Sequence, residues 1–388
     1  MNDFKIRLLK AKHGDSFLIF LDTITLLIDG GPSGVYRQYL EPQLKQLTSK
    51  DGEPPVIDLM MVSHIDADHI DGILDLTTEL IEADDEDRQP IVNIRQAWHN
   101  SFSDVIAAPD TGTSREIKTQ SANASQAFDE LIRQIRTSTG SSGLVLSSVS
   151  QGRQLRLDLK RLQIDLNRGF QNRIVIQGGR TQPWRSGNLS IHVLGPTKSE
   201  VENLKKTWKK ALPNILGKNK PAALASAKKL DRSVSNLASI VCIVEADNKT
   251  ILLTGDARGD NILQWLKATD WPHDNGVYHF DAIKLPHHGS DRNVDSTFFE
   301  TVTANHYLIS GNGGHGNPEP ATFELLFQAR PELNYRIHMT YSPEELATNN
   351  TFIHEGNVPR LHQVLADHQR QNQLNWPAPG ADYVDITL

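Results

Sequence analysis

The sequence predicts a four-layer αββα sandwich, an α/β (α+β) fold in which two sheets pack face to face with helices outside. Two observations carry that prediction. The first is an internal repeat. Residues 17–21 and 25–28 read as strands ending at Asp29-Gly30-Gly31, followed by a helical stretch near 38–47 and a strand over 57–62 that ends at His64. Residues 238–244 and 250–253 read as strands ending at Gly255-Asp256, followed by a helical stretch near 261–267 and a strand over 282–285 that ends at His287-His288. Strand, strand, Asp, helix, strand, His therefore occurs twice. The second observation is the density of ligand-type residues where these strands end. Ser63-His64-Ile65-Asp66-Ala67-Asp68-His69 packs four metal-ligating side chains into six residues directly after an apolar run. A helix would put His64 and Asp68 on one face and leave Asp66 and His69 off it, whereas a tight loop turns all four inward. Imidazole with carboxylate suits Zn²⁺, Mn²⁺ or Fe²⁺.

Length and composition set limits on what such a chain can be. At 388 residues it exceeds the usual single-domain range, which leaves either two domains or one domain with insertions. Its 38% hydrophobic and 22% charged residues suffice for a full core. The single cysteine, Cys242, rules out an internal disulfide and lies in an apolar run, so it reads as a small core residue. That count fits the cell interior. The first residues carry no long apolar stretch, and no eighteen uncharged apolar residues run together anywhere. The expectation is a cytoplasmic protein with no membrane association.

Net charge is −7, but its distribution says more than its total. Residues 151–235 hold 18 Lys and Arg against 5 Asp and Glu, a local +13 that leaves −20 for the rest. Ser199 and Glu202 resemble a helix capping box ahead of Lys205, Lys206, Trp208, Lys209 and Lys210, with Lys218, Lys220, Lys228, Lys229 and Arg232 beyond. This run reads either as a polyanion-binding surface, Trp208 being available for stacking, or as a solvated insertion. Leu212-Pro213 and Lys220-Pro221 suggest broken helices there, and 124–135 suggests one helix in a Ser, Thr and Ala-rich stretch.

The second half supplies partners for the first cluster from more than 180 residues away. Gly255-Asp256 alone is an ordinary turn. His287-His288-Gly289-Ser290 at a strand end is less ordinary, one histidine being suited to coordinate and the other to bond substrate or an outer group. Glycines around His315 in Ser310-Gly311-Asn312-Gly313-Gly314-His315-Gly316 let the backbone approach a ligand. His99 and His192 read as loop or core residues and stand outside the ligand set.

Taken in order, Asp29-Gly30-Gly31, His64-x-Asp66-x-Asp68-His69, Leu253-Thr254-Gly255-Asp256 and Leu285-Pro286-His287-His288-Gly289-Ser290 resemble the successive motifs of the metallo-β-lactamase superfamily. Within it the likeness is to the soluble hydrolase domain of bacterial competence DNA-uptake channel proteins, which share the His-x-Asp-x-Asp-His variant, an Asn and Ser before a strand (here Asn236 and Ser239), and a late Gly-His. The match covers residues 4–78 and 236–330. It implies one metallo-β-lactamase-like domain over 1–388, with insertions at 100–188 and 197–235 and a C-terminal extension at 331–388.

The resemblance implies a role for each residue. Asp29 would orient the metal loop. His64 and Asp66 would serve one of two divalent cations, Zn or Mn, Asp68 and His69 the other, with Asp256 bridging and His287 or His288 completing the second position. No histidine follows the strand at 189–194, and Asp66 stands where a histidine is usual, so the first position would be the weaker. Two cations acidify a shared water and polarise the bond under attack. Asp68 could then move the proton while His288, His315 or Ser290 meets developing negative charge. The leading expectation is a phosphodiesterase or nuclease acting on nucleic acid or a nucleotide, with Lys205, Lys206, Lys209 and Lys210 as substrate contacts. The alternatives are a metallohydrolase of a carboxylic ester, lactone or small phosphoester, and a non-catalytic metal-binding partner or sensor.

Overall fold

Alternation decides which face each strand buries. In Val241–Ala246 (β11), Val241 and Ile243 pack against helices while Cys242 and Val244 pack inward against the other sheet. The computed structural model of the chain describes residues 4–48, 52–101, 144–171, 174–215, 239–348 and 357–388. They form two large sheets. The first runs Tyr383–Thr387 (β17), Lys5–Leu9 (β1), Phe17–Leu21 (β2), Ile24–Ile28 (β3), Leu59–Met61 (β5), Gln96–Trp98 (β7), Asp165–Leu166 (β8). The second runs Leu374–Asn375 (β16), Arg336–Met339 (β15), Val302–Ile309 (β14), Tyr278–Lys284 (β13), Lys249–Leu253 (β12), β11, Leu189–Gly195 (β10), Trp184–Ser186 (β9). A short parallel pair, Val56–Ile57 (β4) and Asn93–Ile94 (β6), stands apart.

The repeat read from the sequence is present in the pairing. In one sheet β2 and β3 are antiparallel and β3 to β5 parallel; in the other β11 and β12 are antiparallel and β12 to β13 parallel. One core lies between the sheets, joining Ile19, Leu26 and Met61 of the first to Cys242, Val244 and Leu253 of the second. The outer face of the first sheet packs Leu27 and Met60 on Ala67–Asp85 (α2) and Leu144–Arg161 (α3), through Ile70, Ile73, Leu155 and Leu159. The outer face of the second meets Gly259–Ala268 (α5), Ser296–Thr301 (α6), Pro320–Ala329 (α7) and Asn357–Asp367 (α9). This is the four-layer αββα order. A turn of π-helix at Tyr36–Leu40 leads into Glu41–Leu44 (α1) where one helix was expected. Pro343–Thr348 (α8) and Lys198–Ile215 (α4) are the remaining α-helices among the described residues, and α4 runs through Leu212-Pro213 unbroken. No helix among the described residues is long and apolar enough to cross a membrane.

Residues 331–388 are not an appendage. They supply β15 and β16 to the second sheet, and β17, which pairs residue for residue with β1 and covers an otherwise open edge of the first. Within 100–188, α3 and β8 likewise belong to the first sheet's layer and edge. The helix expected at 124–135, and Lys218, Lys220, Lys228, Lys229, Arg232 and Asn236, lie outside the described residues.

Candidate metal centre

The carboxyl-terminal ends of β3, β5, β12 and β13 bring the repeated Asp and His residues together. His64 and Asp66 occupy the loop after β5, but Asp68 and His69 already lie in the first turn of α2, so the cluster is half loop and half helix start. Glycine makes this start possible: a Cβ on Gly72 would stand 1.9 Å from the Gly30 carbonyl oxygen, and one on Gly14 1.9 Å from that of Asp68. Asp29 adopts a left-handed φ of 55° and accepts from Ser63 N (2.7 Å), Ser63 Oγ (2.7 Å) and His69 Nδ1 (2.9 Å). Those three contacts tie it to the start of the ligand loop and to the His69 ring. His287 and His288 follow Pro286 with φ of 48° and 56°. Two successive left-handed residues turn adjacent imidazoles toward one place, their centroids 5.8 Å apart.

A single rule describes the four histidines. Each has Nδ1 beside a protein oxygen: His64 beside Ser63 Oγ (3.1 Å), His69 beside Asp29 (2.9 Å), His287 beside Asn293 Oδ1 (2.9 Å) and His288 beside Asp15 Oδ1 (3.1 Å). Each has Nε2 turned to Asp256. His64 and His287 stand 3.6 and 3.5 Å from its Oδ2, and His69 and His288 3.4 and 3.8 Å from its Oδ1. Asp66 Oδ2 lies 3.7 Å from His64 Nε2, and Asp68 Oδ2 lies 3.4 Å from His288 Nε2. Buried His64 Nε2, His69 Nε2, His288 Nε2 and Asp256 Oδ1 have no hydrogen-bond partner among the described residues. Orphaned buried polar atoms are costly unless something fills the space between them. Donors about 2.0–2.2 Å from a shared cation stand roughly 3–4 Å from one another, so the residues fit a divalent metal. The sequence left one histidine of the His287-His288 pair to complete a position; both rings address Asp256, one per oxygen.

Asp15, in the loop between β1 and β2, was missed by the sequence reading. It is 1% exposed, and its oxygens take Lys284 Nζ (2.7 Å), Ser310 Oγ and His288 Nδ1. Those contacts and its place on the Nδ1 side make it an orienting group. Its signal was an acid directly after His13-Gly14 at a strand end. Lys284 and Asn293 were missed too, and neither belongs to a motif.

Other expected residues fall elsewhere. Ser290 Oγ donates to Glu319 Oε2 (3.1 Å), so its hydroxyl is committed away from the centre. Lys205 is 4% exposed and inside the packing of α4, not on a substrate surface; Lys206 is exposed, and the side chains of Trp208, Lys209 and Lys210 lie outside the described residues. His192 stands 3.1 Å from Glu245 Oε2, and His99 is fully buried with Nε2 3.3 Å from the Gly152 carbonyl. His315 reaches the centre's rim beside His13.

Burial disfavours every charge here, and neighbouring groups decide which charges are kept. Burial would raise Asp15, but Lys284 and His288 hold it well below the usual carboxylate range. Asp256 is likewise held low by His287, His288 and His69 against burial. His288, opposed by burial but facing Asp15 and Asp256, is raised to about 9, and His69 is raised well above the ordinary value by Asp256, Asp29 and Asp68. His64, buried and beside His69, falls to about 3. In the metal-free protein, protons on His69 and His288 thus supply the positive charge the carboxylates require. Stability from the His288 proton is complete below the unfolded value of about 6.5 and is lost as pH rises through about 9. The melting temperature in chelator is therefore expected to fall from pH 6.5 to 9, a loss on the order of 1–3 kcal/mol. Thermal melts across that range check it, and a flat or rising midpoint would contradict it.

No family model matches the chain. Microtubule-associated protein 1A of Rattus norvegicus and of Mus musculus is each 28% identical over 96 residues, which is 24% of this chain. The chain spans about 3% of the length of these curated relatives. Among solved structures, the metallo-β-lactamase fold protein YhfI from Bacillus subtilis aligns over 100% of both chains at 10% identity and a TM-score of 0.40. A putative metal-dependent hydrolase from Parabacteroides distasonis aligns over 86% of this chain and 91% of its own, at 10% identity and a TM-score of 0.35. Human tRNase Z, short form, covers 87% and 92% at 9% identity and a TM-score of 0.34. Likeness at these TM-scores carries no weight beside the chain's own strand order and side-chain placement.

Proposed function

We propose that this protein is a metal-dependent hydrolase with a binuclear centre, acting on a phosphodiester in nucleic acid or a nucleotide. The observation that carries the reading is the convergence of four imidazole Nε2 atoms on the two oxygens of Asp256. His64, Asp66, His287 and one oxygen of Asp256 would hold one cation; Asp68, His69, His288 and the other oxygen would hold a second. On this assignment His287 takes the place of the absent mid-chain histidine, and the first position is no longer the poorer. Two nitrogens and two carboxylates in each group suit Zn²⁺ or Mn²⁺. Bound cations supply Lewis acidity and a nucleophilic water at neutral pH.

The chain's own groups do the rest. Asp29 and Asp15 fix the tautomers of His69 and His288 so that Nε2 faces inward. Burial opposes the charge on Asp68, but His69 and His288 keep it well below the usual range, so it stays ionised and is a poor store for a proton. With Nδ1 beside Asp15 and Nε2 on a cation, His288 would have no nitrogen left to act as an acid. Proton transfer and contact with substrate charge fall to groups at the rim.

The motif likeness to the DNA-uptake hydrolase domain supports a phosphodiester over a carboxylic ester. Protein reconstituted with Mn²⁺ or Zn²⁺ is expected to hydrolyse bis(p-nitrophenyl) phosphate and oligonucleotides, with oligonucleotide affinity falling as salt rises. Turnover of esters or lactones alone, insensitive to salt, would move the reading to a carboxylic substrate. No turnover of either, with Asp68→Ala indistinguishable from wild type, would end it.

A further inference from the structure

At the rim of the centre the loop between β1 and β2 meets the loop after β14. His13 and His315 pack edge to face there, ring centroids 4.9 Å apart at 78°. One comes from each half of the molecule. Two glycines set the approach. The close fit of Gly14 over the Asp68 carbonyl lays residues 13–15 directly on the first turn of α2, and a Cβ on Gly314 would stand 3.0 Å from His13 Cβ. His315 itself holds φ at 60° between Gly313 and Gly316, at 85° and 91°. A non-glycine residue kept in that region marks a position the surroundings enforce.

Neither ring takes a hydrogen bond or ion pair among the described residues, so their nitrogens are open to a ligand beside a centre whose other imidazoles each set Nδ1 on a protein oxygen and Nε2 toward Asp256. The groups acting electrostatically on His13 are Asp68, His315, His288 and Lys12. The neighbouring Lys12 turns its Nζ to the Ser33 carbonyl (2.7 Å). Carboxylates therefore line the depth of the centre, and two imidazoles stand at its rim. A tetrahedral dianion or diester, presenting several oxygens at once, satisfies two separated N–H donors; a neutral ester offers them a single carbonyl oxygen.

We propose that His13 and His315 form a two-imidazole clamp for the non-bridging oxygens of a phosphoryl group, making them the anion-recognition site of this centre. The proposal rests on the hydrolase reading for its location but is read out by binding. Inorganic phosphate is titrated calorimetrically into the full-length metal-loaded protein, as wild type, His13→Gln, His315→Gln and the double variant, at matched metal content. Each single change is expected to weaken phosphate by about tenfold and the double by about a hundredfold, each lost bond to an anion being worth roughly that. For bis(p-nitrophenyl) phosphate, KM is expected to rise in step with the loss of phosphate affinity. Phosphate binding that is absent in wild type, or unchanged in the double variant, overturns the clamp. If wild type cleaves no phosphoester yet phosphate binding still needs both histidines, the hydrolase reading fails and the clamp stands. If cleavage proceeds while binding ignores both histidines, the reverse holds.

Discussion

If Asp256 bridges two cations as proposed, Asp256→Ala is expected to reduce the purified protein from two cations per chain to fewer than one and to lower hydrolysis by far more than the roughly 10–100-fold that loss of an outer partner costs. Asp256 is 2% exposed, and its two oxygens face the two groups of donors separately, so one truncation removes a ligand from both. The backbone that presents it is held independently: its N–H donates to Ser239 Oγ (3.3 Å) and its carbonyl accepts from Asn293 Nδ2 (3.0 Å). The variant should therefore keep its fold while losing the centre. Asp256→Asn separates charge from shape, since the amide offers one oxygen in place of two. Elemental analysis with circular dichroism decides the matter. Two cations per chain and turnover within about threefold of wild type, set against that 10–100-fold scale, would show that the shared carboxylate is not the bridge.

The part of the centre legible in the sequence is the part that repeats. Asp29, the His64 to His69 loop, Asp256 and the His287-His288 pair all lie just beyond apolar strands, and the strand that precedes a ligand fixes where the ligand emerges. What could not be read is what packs behind them. Asp15 meets His288 across 273 residues, and β17 closes the edge beside β1 across 374 to 382 residues; neither pairing leaves a periodic trace in the chain. The tail at 331–388 consequently looked like an extension although it completes both sheets. Lysine is the other lesson. A basic run suggested a surface, yet Lys205 is buried within it and Lys284, outside any run, is the cation that touches the centre's framework. Charge counted along the sequence does not say which way a side chain faces on a helix or at a strand end.

Lys284→Met tests that framework and carries the largest expected cost in stability. Lys284 ends β13 at 2% exposure, with Nζ 2.7 Å from Asp15 Oδ2 and 3.0 Å from the Leu285 carbonyl. Removing one partner of a buried pair strands the other charge, a loss of about 3–5 kcal/mol in comparable cases. Asp15 then has two escapes. It keeps its charge in a pocket already rich in carboxylates, or it takes a proton and weakens as an acceptor for His288 Nδ1. Either path loosens the ring whose Nε2 addresses Asp68 and Asp256, so affinity at the second position is expected to fall about 10–100-fold while the first, held through His64 and His287, changes less. Replacing both members, Lys284→Met with Asp15→Asn, removes the stranded charge. The double variant should melt above Lys284→Met alone yet bind the second cation no better, because orientation of His288 is not restored. Denaturant melts in chelator with stepwise metal titration separate the two effects. A single variant that melts as wild type does and fills both positions would mean that Lys284 merely accompanies Asp15, and that Ser310 and the fold alone hold His288 in place.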